Sequence, residues 1–238
     1  MKCVCIYGNP KTGGFVHDCL DFITDRLESQ HVDMQRIRLN EARISDCTGC
    51  FTCLRTGRCV IDDDMTAIIA AMREADGYIT GASVRNGMVP ALFKRFYERV
   101  TYTMGFTREL RGKYVLAIGA VGVAGGRSTL GKILPFKEYD TFVSDFLFFK
   151  TGIPTRLTVD AVLPRLQRAV NRFYTVLEQQ PPLPFRVRIN ARISDAIFRT
   201  FLFGKNPDGV YDYVIDHWKK KGLMPSSGQS DPPDHSPC

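Results

Sequence analysis

Four cysteines, Cys47, Cys50, Cys53 and Cys59, fall within thirteen residues in the spacing C-x2-C-x2-C-x5-C. Thiolates are soft ligands, and four of them on one short loop can surround a compact metal centre, with Gly49 and Gly57 letting the chain turn round it. The C-x2-C-x2-C run is the spacing that holds cubane iron–sulfur clusters. Zinc competes for such a site, although structural zinc usually takes its ligands as two separated pairs. Four free or redox-active thiols without metal are the third reading. The remaining cysteines, Cys3, Cys5, Cys19 and Cys238, are scattered. The start, Met1 to Gly8, has no small-residue cleavage site and is expected to be a first strand rather than a signal peptide. A cytoplasmic setting is the expectation, and there a cysteine cluster serves metal or redox chemistry more often than a disulfide framework.

Three glycine-containing loops form a second group. The first is Gly8-Asn9-Pro10-Lys11-Thr12-Gly13-Gly14, which runs into a helix whose N-terminal amides, with Lys11 and the Thr12 hydroxyl, suit a phosphate. It is neither a Walker A loop nor a G-x-G-x-x-G fingerprint. The second is Ala82-Ser83-Val84-Arg85-Asn86-Gly87-Met88, and the third is Gly119 to Gly126, with Gly122, Gly125 and Gly126. Small residues in such loops let backbone amides approach a flat ring and tune its electronics. The alternative is that each loop is only a turn.

These loops need strands and helices to bring them together. Strands are expected at Lys2–Tyr7, Asp33–Leu39, Asp76–Gly81, Lys113–Gly119 and Ile153–Val159, the second of them a half-exposed edge. Helices are expected from Phe15 to about Ser29, from Asp62-Asp63-Asp64 through Ala75, over Val89–Tyr102, somewhere between Ser128 and Phe149, and over Ala161–Gln179. Alternating strands and helices imply a doubly wound five-stranded parallel α/β sheet, with 2-1-3-4-5 as the natural order. In that fold ligands lie beyond the carboxyl ends of the strands, where the three glycine loops would meet.

The chain has 238 residues, 44% hydrophobic and 24% charged, an ordinary globular balance. No apolar run reaches the roughly 18–20 residues that a membrane span needs. The net charge is +7, and basic residues recur in the C-terminal segment at Arg186, Arg188, Arg192, Arg199, Lys205 and Lys219-Lys220-Lys221. No nucleic-acid-binding motif accompanies it, so it is expected to be a solvated or subunit-contacting surface. Three parts are expected: a domain over 1–180, a helical C-terminal arm over 181–224 and a polar, Pro-rich disordered tail over 225–238. The arm carries Phe198, Phe201, Phe203, Tyr211 and Trp218, too apolar a load for a free segment.

The stretch Asp46-Cys47-Thr48-Gly49-Cys50-Phe51-Thr52-Cys53, then Gly57-Arg58-Cys59-Val60-Ile61-Asp62-Asp63-Asp64-Met65, resembles the iron–sulfur flavoproteins of the NADPH-dependent FMN reductase, flavodoxin-like superfamily. Ala75-Asp76-Gly77, Pro90 to Phe96 and Glu98-Arg99 agree with it, and the resemblance covers about residues 2–160. The ending from Asp212-Tyr213 to Gly222 is similar to an extension of longer members. Several positions depart from the family pattern. Gly8-Asn9-Pro10-Lys11 stands where members commonly read G-S-P-R, and Gly14-Phe15 replaces a polar pair. Ser83 and Arg85 stand where a Pro and an aromatic are usual, and Arg127 follows Gly125-Gly126 where an acidic residue is frequent.

The resemblance implies an FMN-dependent oxidoreductase. FMN would lie across Asn9, Pro10, Lys11, Thr12, Gly13, Gly14, Ser83, Val84, Arg85, Asn86, Gly87, Gly122, Gly125 and Gly126, and a [4Fe–4S] cluster on Cys47, Cys50, Cys53 and Cys59. NAD(P)H is implied as an electron donor, and a redox protein or small molecule as acceptor. No catalytic acid or base is assigned, because the cofactors carry the chemistry. A cluster-free NAD(P)H-dependent FMN or quinone reductase is one alternative, and a non-enzymatic electron carrier or redox-sensing partner another. A homodimer or homotetramer is expected, built through the arm with Phe198, Phe201 and Trp218 as anchors.

Overall fold

The computed structural model describes residues 1–123 and 140–225. Five strands, β1 (Lys2–Tyr7), β2 (Asp33–Arg38), β3 (Gly77–Val84), β4 (Tyr114–Val121) and β5 (Phe142–Lys150), form one parallel sheet in the order β2-β1-β3-β4-β5. The order reverses between β1 and β3, which makes their carboxyl ends the natural ligand crevice.

Successive strand residues face opposite sides, so each central strand feeds two cores. Cys3, Cys5, Ile79, Leu116 and Ile118 pack under α1 (Phe15–Glu28) and α5 (Val159–Gln179). Val4, Ile6, Tyr78, Val115 and Ala117 pack under α3 (Met65–Glu74) and α4 (Ala91–Val100). Helix α1 earns its place through Phe15, Cys19, Leu20, Ile23 and Leu27, buried at helical spacing. A short α2 (Thr52–Thr56) carries Cys53 between β2 and α3. The arm contributes α6 (Phe185–Ile197) and α7 (Asp212–Lys220).

The fifth strand is not at Ile153–Val159, where the sequence suggested it. It lies at Phe142–Lys150, over the end of the span expected to be helical, while 151–158 form the following loop and α5 starts at Val159. The aromatic run Phe146-Leu147-Phe148-Phe149 suits a pleated surface. Gly152, at φ 79°, and Pro154, which lacks an amide proton, do not suit a strand. Residues 124–139, with Gly125, Gly126 and the remainder of that expected helix, lie outside the described residues, as does the expected tail from 226 onwards.

The arm folds onto its own chain. Trp218 is fully buried with Leu54, Phe203 and Val214, and its indole N–H donates to the Phe106 carbonyl at 2.7 Å. Phe198 stacks on Trp218, and the Arg108 guanidinium lies over both rings. Asp195 of α6 accepts from Arg111 and forms an ion pair with Arg108, tying the arm to the segment after α4 by charge as well as by packing. Two of the three expected intersubunit anchors, Phe198 and Trp218, are therefore used within the chain, because Leu54 and Phe106 offer them an apolar seat. Phe201 stays exposed. No described helix is long and apolar enough to cross a membrane.

Candidate functional site

Two pockets carry the residues singled out from the sequence. The first is a crevice of about 430 Å³ at the carboxyl ends of the strands, within the range of small-ligand and cofactor sites. Asn9, Lys11, Gly13 and Gly14 reach it from the first loop, Ser83, Val84 and Arg85 from the end of β3, and Gly122 from the end of β4. Gly13 and Gly14 sit at φ 82° and 92°, where L side chains are strained. This backbone delivers the start of α1 with no side-chain cap, and the first intrahelical bond runs from Asp18 N to Gly14 O. The amides before Asp18 are therefore open to an anion, and the charged residues lining the crevice, Lys11 and Arg85, are both cationic.

Tight backbone contacts hold the crevice. Gly8 donates to the Gly81 carbonyl at 2.8 Å, and a Cβ on Gly8 would stand 2.4 Å from Phe93. The Asn9 Oδ1 accepts from both the amide and the hydroxyl of Ser83 at 2.8 Å. Asn9 and Ser83 thus lock the first loop onto β3. Asn86 and Gly87 do something else. With φ 50° and 72°, they are the centre of a two-residue hairpin closed by paired Arg85–Met88 hydrogen bonds. Pro10, Thr12, Asn86 and Gly87 are not among the residues lining the crevice. Phe15, Val16, Ala120 and the post-β5 residues Thr151, Gly152, Ile153 and Thr155 line it without having been foreseen. The last four were hidden by the misplaced strand.

The second pocket brings together all four cysteines of the compact motif with Thr48, Gly49, Phe51, Ile61, Arg99, Tyr102 and Thr103. Gly49 and Phe51, at φ 67° and 55°, turn the loop, and Gly57, at φ 78°, caps α2 in the left-handed region. A Cβ on Gly57 would lie 2.5 Å from the Tyr213 ring, so glycine is also what lets α7 close over this loop. The wall opposite the cysteines is the point where α4 widens into a π-turn, Thr101–Gly105, a device common at functional sites.

The thiols fall into two electrostatic classes. Burial pushes Cys3 and Cys19 up to about 12 and Cys5 higher still, as expected of inert core thiols. Cys53 is raised to about 11 by burial and then by the facing Cys59, Cys47 and Cys50, which repel its thiolate. Cys50 moves the other way, because the Thr52 hydroxyl, the Thr52 amide and the Thr48 hydroxyl all favour its anion. A cation placed among the four would relieve that repulsion. Among the described residues, no three of these sulfurs come within 4.8 Å of one another. A mononuclear tetrahedral zinc site, with Zn–S near 2.3 Å, would set its sulfurs about 3.8 Å apart. Four thiolates are also the donor set that holds iron–sulfur clusters.

The sequence reading missed the partners of these cysteines. Asp63, at the start of an expected helix, is buried against Arg99 with N–O distances of 2.8 and 3.0 Å. Burial alone would raise its pKa, but the Arg99 fork and the Ser45 and Met65 amides more than offset that and hold it low. One signal was available. Arg99 is a charge on the same face of α4 as the buried Phe96, three residues earlier.

Sheet order and the position of the crevice together define a flavodoxin-like α/β fold. The model of the NADPH-dependent FMN reductase family matches residues 1–136, and the chain belongs to that family of flavin-dependent oxidoreductases. An iron–sulfur flavoprotein of Archaeoglobus fulgidus is 34% identical over 114 residues, 48% of this chain and about half, 51%, of that protein's length. One from Clostridioides difficile is 25% identical over 94% of this chain and 100% of its own. A flavone reductase structure superposes with a TM-score of 0.58 at 16% identity, covering 76% of this chain and 63% of its own, which supports the fold alone.

Proposed function

We propose that this chain binds FMN in the crevice at the strand ends and a [4Fe–4S] group on Cys47, Cys50, Cys53 and Cys59, and passes electrons between the two. The observation that carries the reading is the convergence of those four thiols and, among the described residues, of no other cysteine on one pocket. The names of the A. fulgidus and C. difficile relatives point the same way.

When bound, FMN supplies two-electron chemistry and the iron–sulfur group one-electron chemistry. The protein's work is to hold, orient and shield. Gly13, Gly14 and the first amides of α1 receive the phosphate, with Lys11 as its counter-charge. The Asn9–Ser83 lock fixes the first loop relative to β3, and the backbone at Ser83–Arg85 and Ala120–Gly122 would flank a bound flavin ring. Residues Thr151–Thr155 close the far wall. At the other pocket Phe51, Ile61 and Tyr102 exclude water, while Thr48 and Thr52 favour the Cys50 anion. A reduced nicotinamide is the proposed donor, and a redox protein or small molecule the acceptor.

Assembly is part of the reading. Phe185, Ile189, Ile193, Ile197 and Phe201 are all exposed at intervals of four. At about 100° per residue they lie roughly opposite Ala191 and Asp195, which face the domain. This i±4 ridge suits packing against the same ridge of a second copy, with arginine stems at its margin. Light scattering should then find an oligomer that Ile193→Glu disperses.

The test of the main reading is anaerobic purification followed by iron, acid-labile sulfide and flavin analysis. About four irons and four sulfides per chain, the cubane stoichiometry, with one FMN, are expected. Colourless, iron-free protein would sink the cluster, and extracted FAD would sink the crevice assignment.

A further inference from the structure

Arg99 makes more contacts than a structural ion pair needs, and leaves one donor unused. Its side chain is 2% exposed. Both Nη atoms are engaged. Nη1 donates to Asp63 at 2.8 Å and to the Ser45 carbonyl at 3.1 Å, and Nη2 donates to Asp63 at 3.0 Å. The Nε–H has no hydrogen-bond partner although it is buried, and the side chain is part of the cysteine pocket wall. A buried donor without an acceptor is costly and rare, and it marks a place where a group belongs.

The position of the pair is also specific. Ser45 stands two residues before Cys47, and Asp63 four residues after Cys59. Asp63 accepts the Ser45 amide at 2.9 Å and the Met65 amide at 3.1 Å. Arg99 and Asp63 therefore pin both ends of the cysteine loop to α4. An apolar pair of similar volume could do that packing with no unpaired donor. A guanidinium does something more. It adds a fixed positive charge and a directed N–H beside sulfur ligands, in a site where burial strengthens both.

Resting on the cluster reading above, we propose that Arg99 aims its free Nε–H at a sulfur of the group held by Cys47 and Cys59 and thereby raises that group's reduction potential. Reduction adds negative charge to the site. A nearby cation and N–H donor favour the reduced form, and hydrogen bonds to sulfur are a recognised control of such potentials. In this role Arg99 is a positioning and tuning residue, not a catalytic one.

The experiment is an EPR-monitored redox titration of full-length, anaerobically reconstituted protein, with iron and sulfide measured on the same samples. Arg99→Leu combined with Asp63→Asn removes the N–H together with both charges of the ion pair, so its shift reads the lost N–H rather than a change in net charge, and it strands no buried carboxylate. It should shift the equilibrium toward the oxidised group by about tenfold, 59 mV for a one-electron couple. Arg99→Lys keeps a charge but loses the Nε–H, and should fall between wild type and the double variant. A loss of stability or iron with an unchanged potential would show a purely structural role and overturn the proposal. If the double variant fails to fold, the lysine variant decides alone, and a potential within threefold of wild type in equilibrium constant overturns it. Wild-type protein holding no iron or sulfide would remove the cluster reading itself, and this inference with it.

Discussion

The crevice at the strand ends and the pocket under the arm are built by opposite means. The crevice is made of main chain. Its specificity lies in where backbone amides point, which Gly13, Gly14 and the Gly8–Gly81 approach permit, and its side chains are few and replaceable. The cysteine pocket is made of side chains. Four identical sulfurs, one buried arginine and the rings of Phe51 and Tyr102 line it, and the arm, from a distant part of the sequence, packs its aromatic cluster against Cys53 and Tyr102. A backbone site tolerates drift in sequence as long as the turn geometry is kept. A side-chain site fails when a single atom is removed.

That contrast predicts its own largest effect. Cys50→Ala or Cys59→Ala should lower bound iron from about four per chain to near zero, because three thiolates no longer close the site, while FMN stays. Cys3→Ala and Cys19→Ala, which remove buried core thiols, should cost stability without lowering iron per folded chain. Parallel iron and flavin counts would break the comparison if Cys50→Ala and Cys19→Ala behaved alike.

The reverse experiment addresses the crevice. Gly13→Glu forces a side chain onto a φ of 82°, about 1–2 kcal/mol of backbone strain, and sets a carboxylate beside the phosphate position. Bound FMN after gel filtration should fall at least tenfold while iron is kept. Lys11→Ala, which removes a charge but no backbone group, should weaken flavin binding much less. Equal losses from the two variants would mean that the crevice is a side-chain site after all.

The same distinction explains what could be read from the sequence. The cysteine spacing and the glycine loops were legible because each is local, and the alternation of strand and helix was enough for the sheet order. The fifth strand was misplaced because Ile153–Val159 is as apolar as a strand, and only Gly152 and Pro154 argue otherwise. Its loss concealed a quarter of the crevice wall. Tyr102 and Asp63 were not legible as site residues, and Arg99 only as a charge on an apolar helix face, because the Arg99–Asp63 contact spans 36 residues and the π-turn carrying Tyr102 has no local pattern to announce it. The arm read as apolar, but its seat on Leu54 and Phe106 is a tertiary fact, so its anchors were assigned to a second subunit.

Trp218→Ala sharpens the comparison by removing the cover from one site only. Truncating a fully buried Trp and its hydrogen bond to Phe106 should cost about 3–5 kcal/mol of stability. Helix α7 should loosen from the cysteine loop, so iron should leave faster under chelator challenge than from wild type. Flavin release, governed by loops on another part of the sheet, should be almost unaffected. Matched acceleration of both would show that the two sites share one cooperative unit.

The smallest expected effect is a pH dependence confined to the arm. His217 lies on α7 with its Nε2 buried and unpartnered, and burial first, then the Lys221 charge, lower its pKa from 6.5. Lys220 and Arg73 add to that lowering, while Glu109 opposes it. A histidine whose folded pKa is depressed is neutral in the native state and takes its proton more readily when the chain unfolds. The stability it contributes is therefore complete above pH 6.5 and is lost as the pH falls through 6.5 toward the folded value. One proton gives at most about 1.4 kcal/mol per pH unit, and solvent screening of this half-buried ring reduces that. Thermal melts between pH 7.5 and 5.5 should show wild type losing stability on the acid side more steeply than His217→Gln. Iron release should follow the same trend, since α7 carries Tyr213 against Gly57. If the two proteins showed parallel pH profiles, the acid sensitivity would belong to other groups and His217 would be a packing residue only.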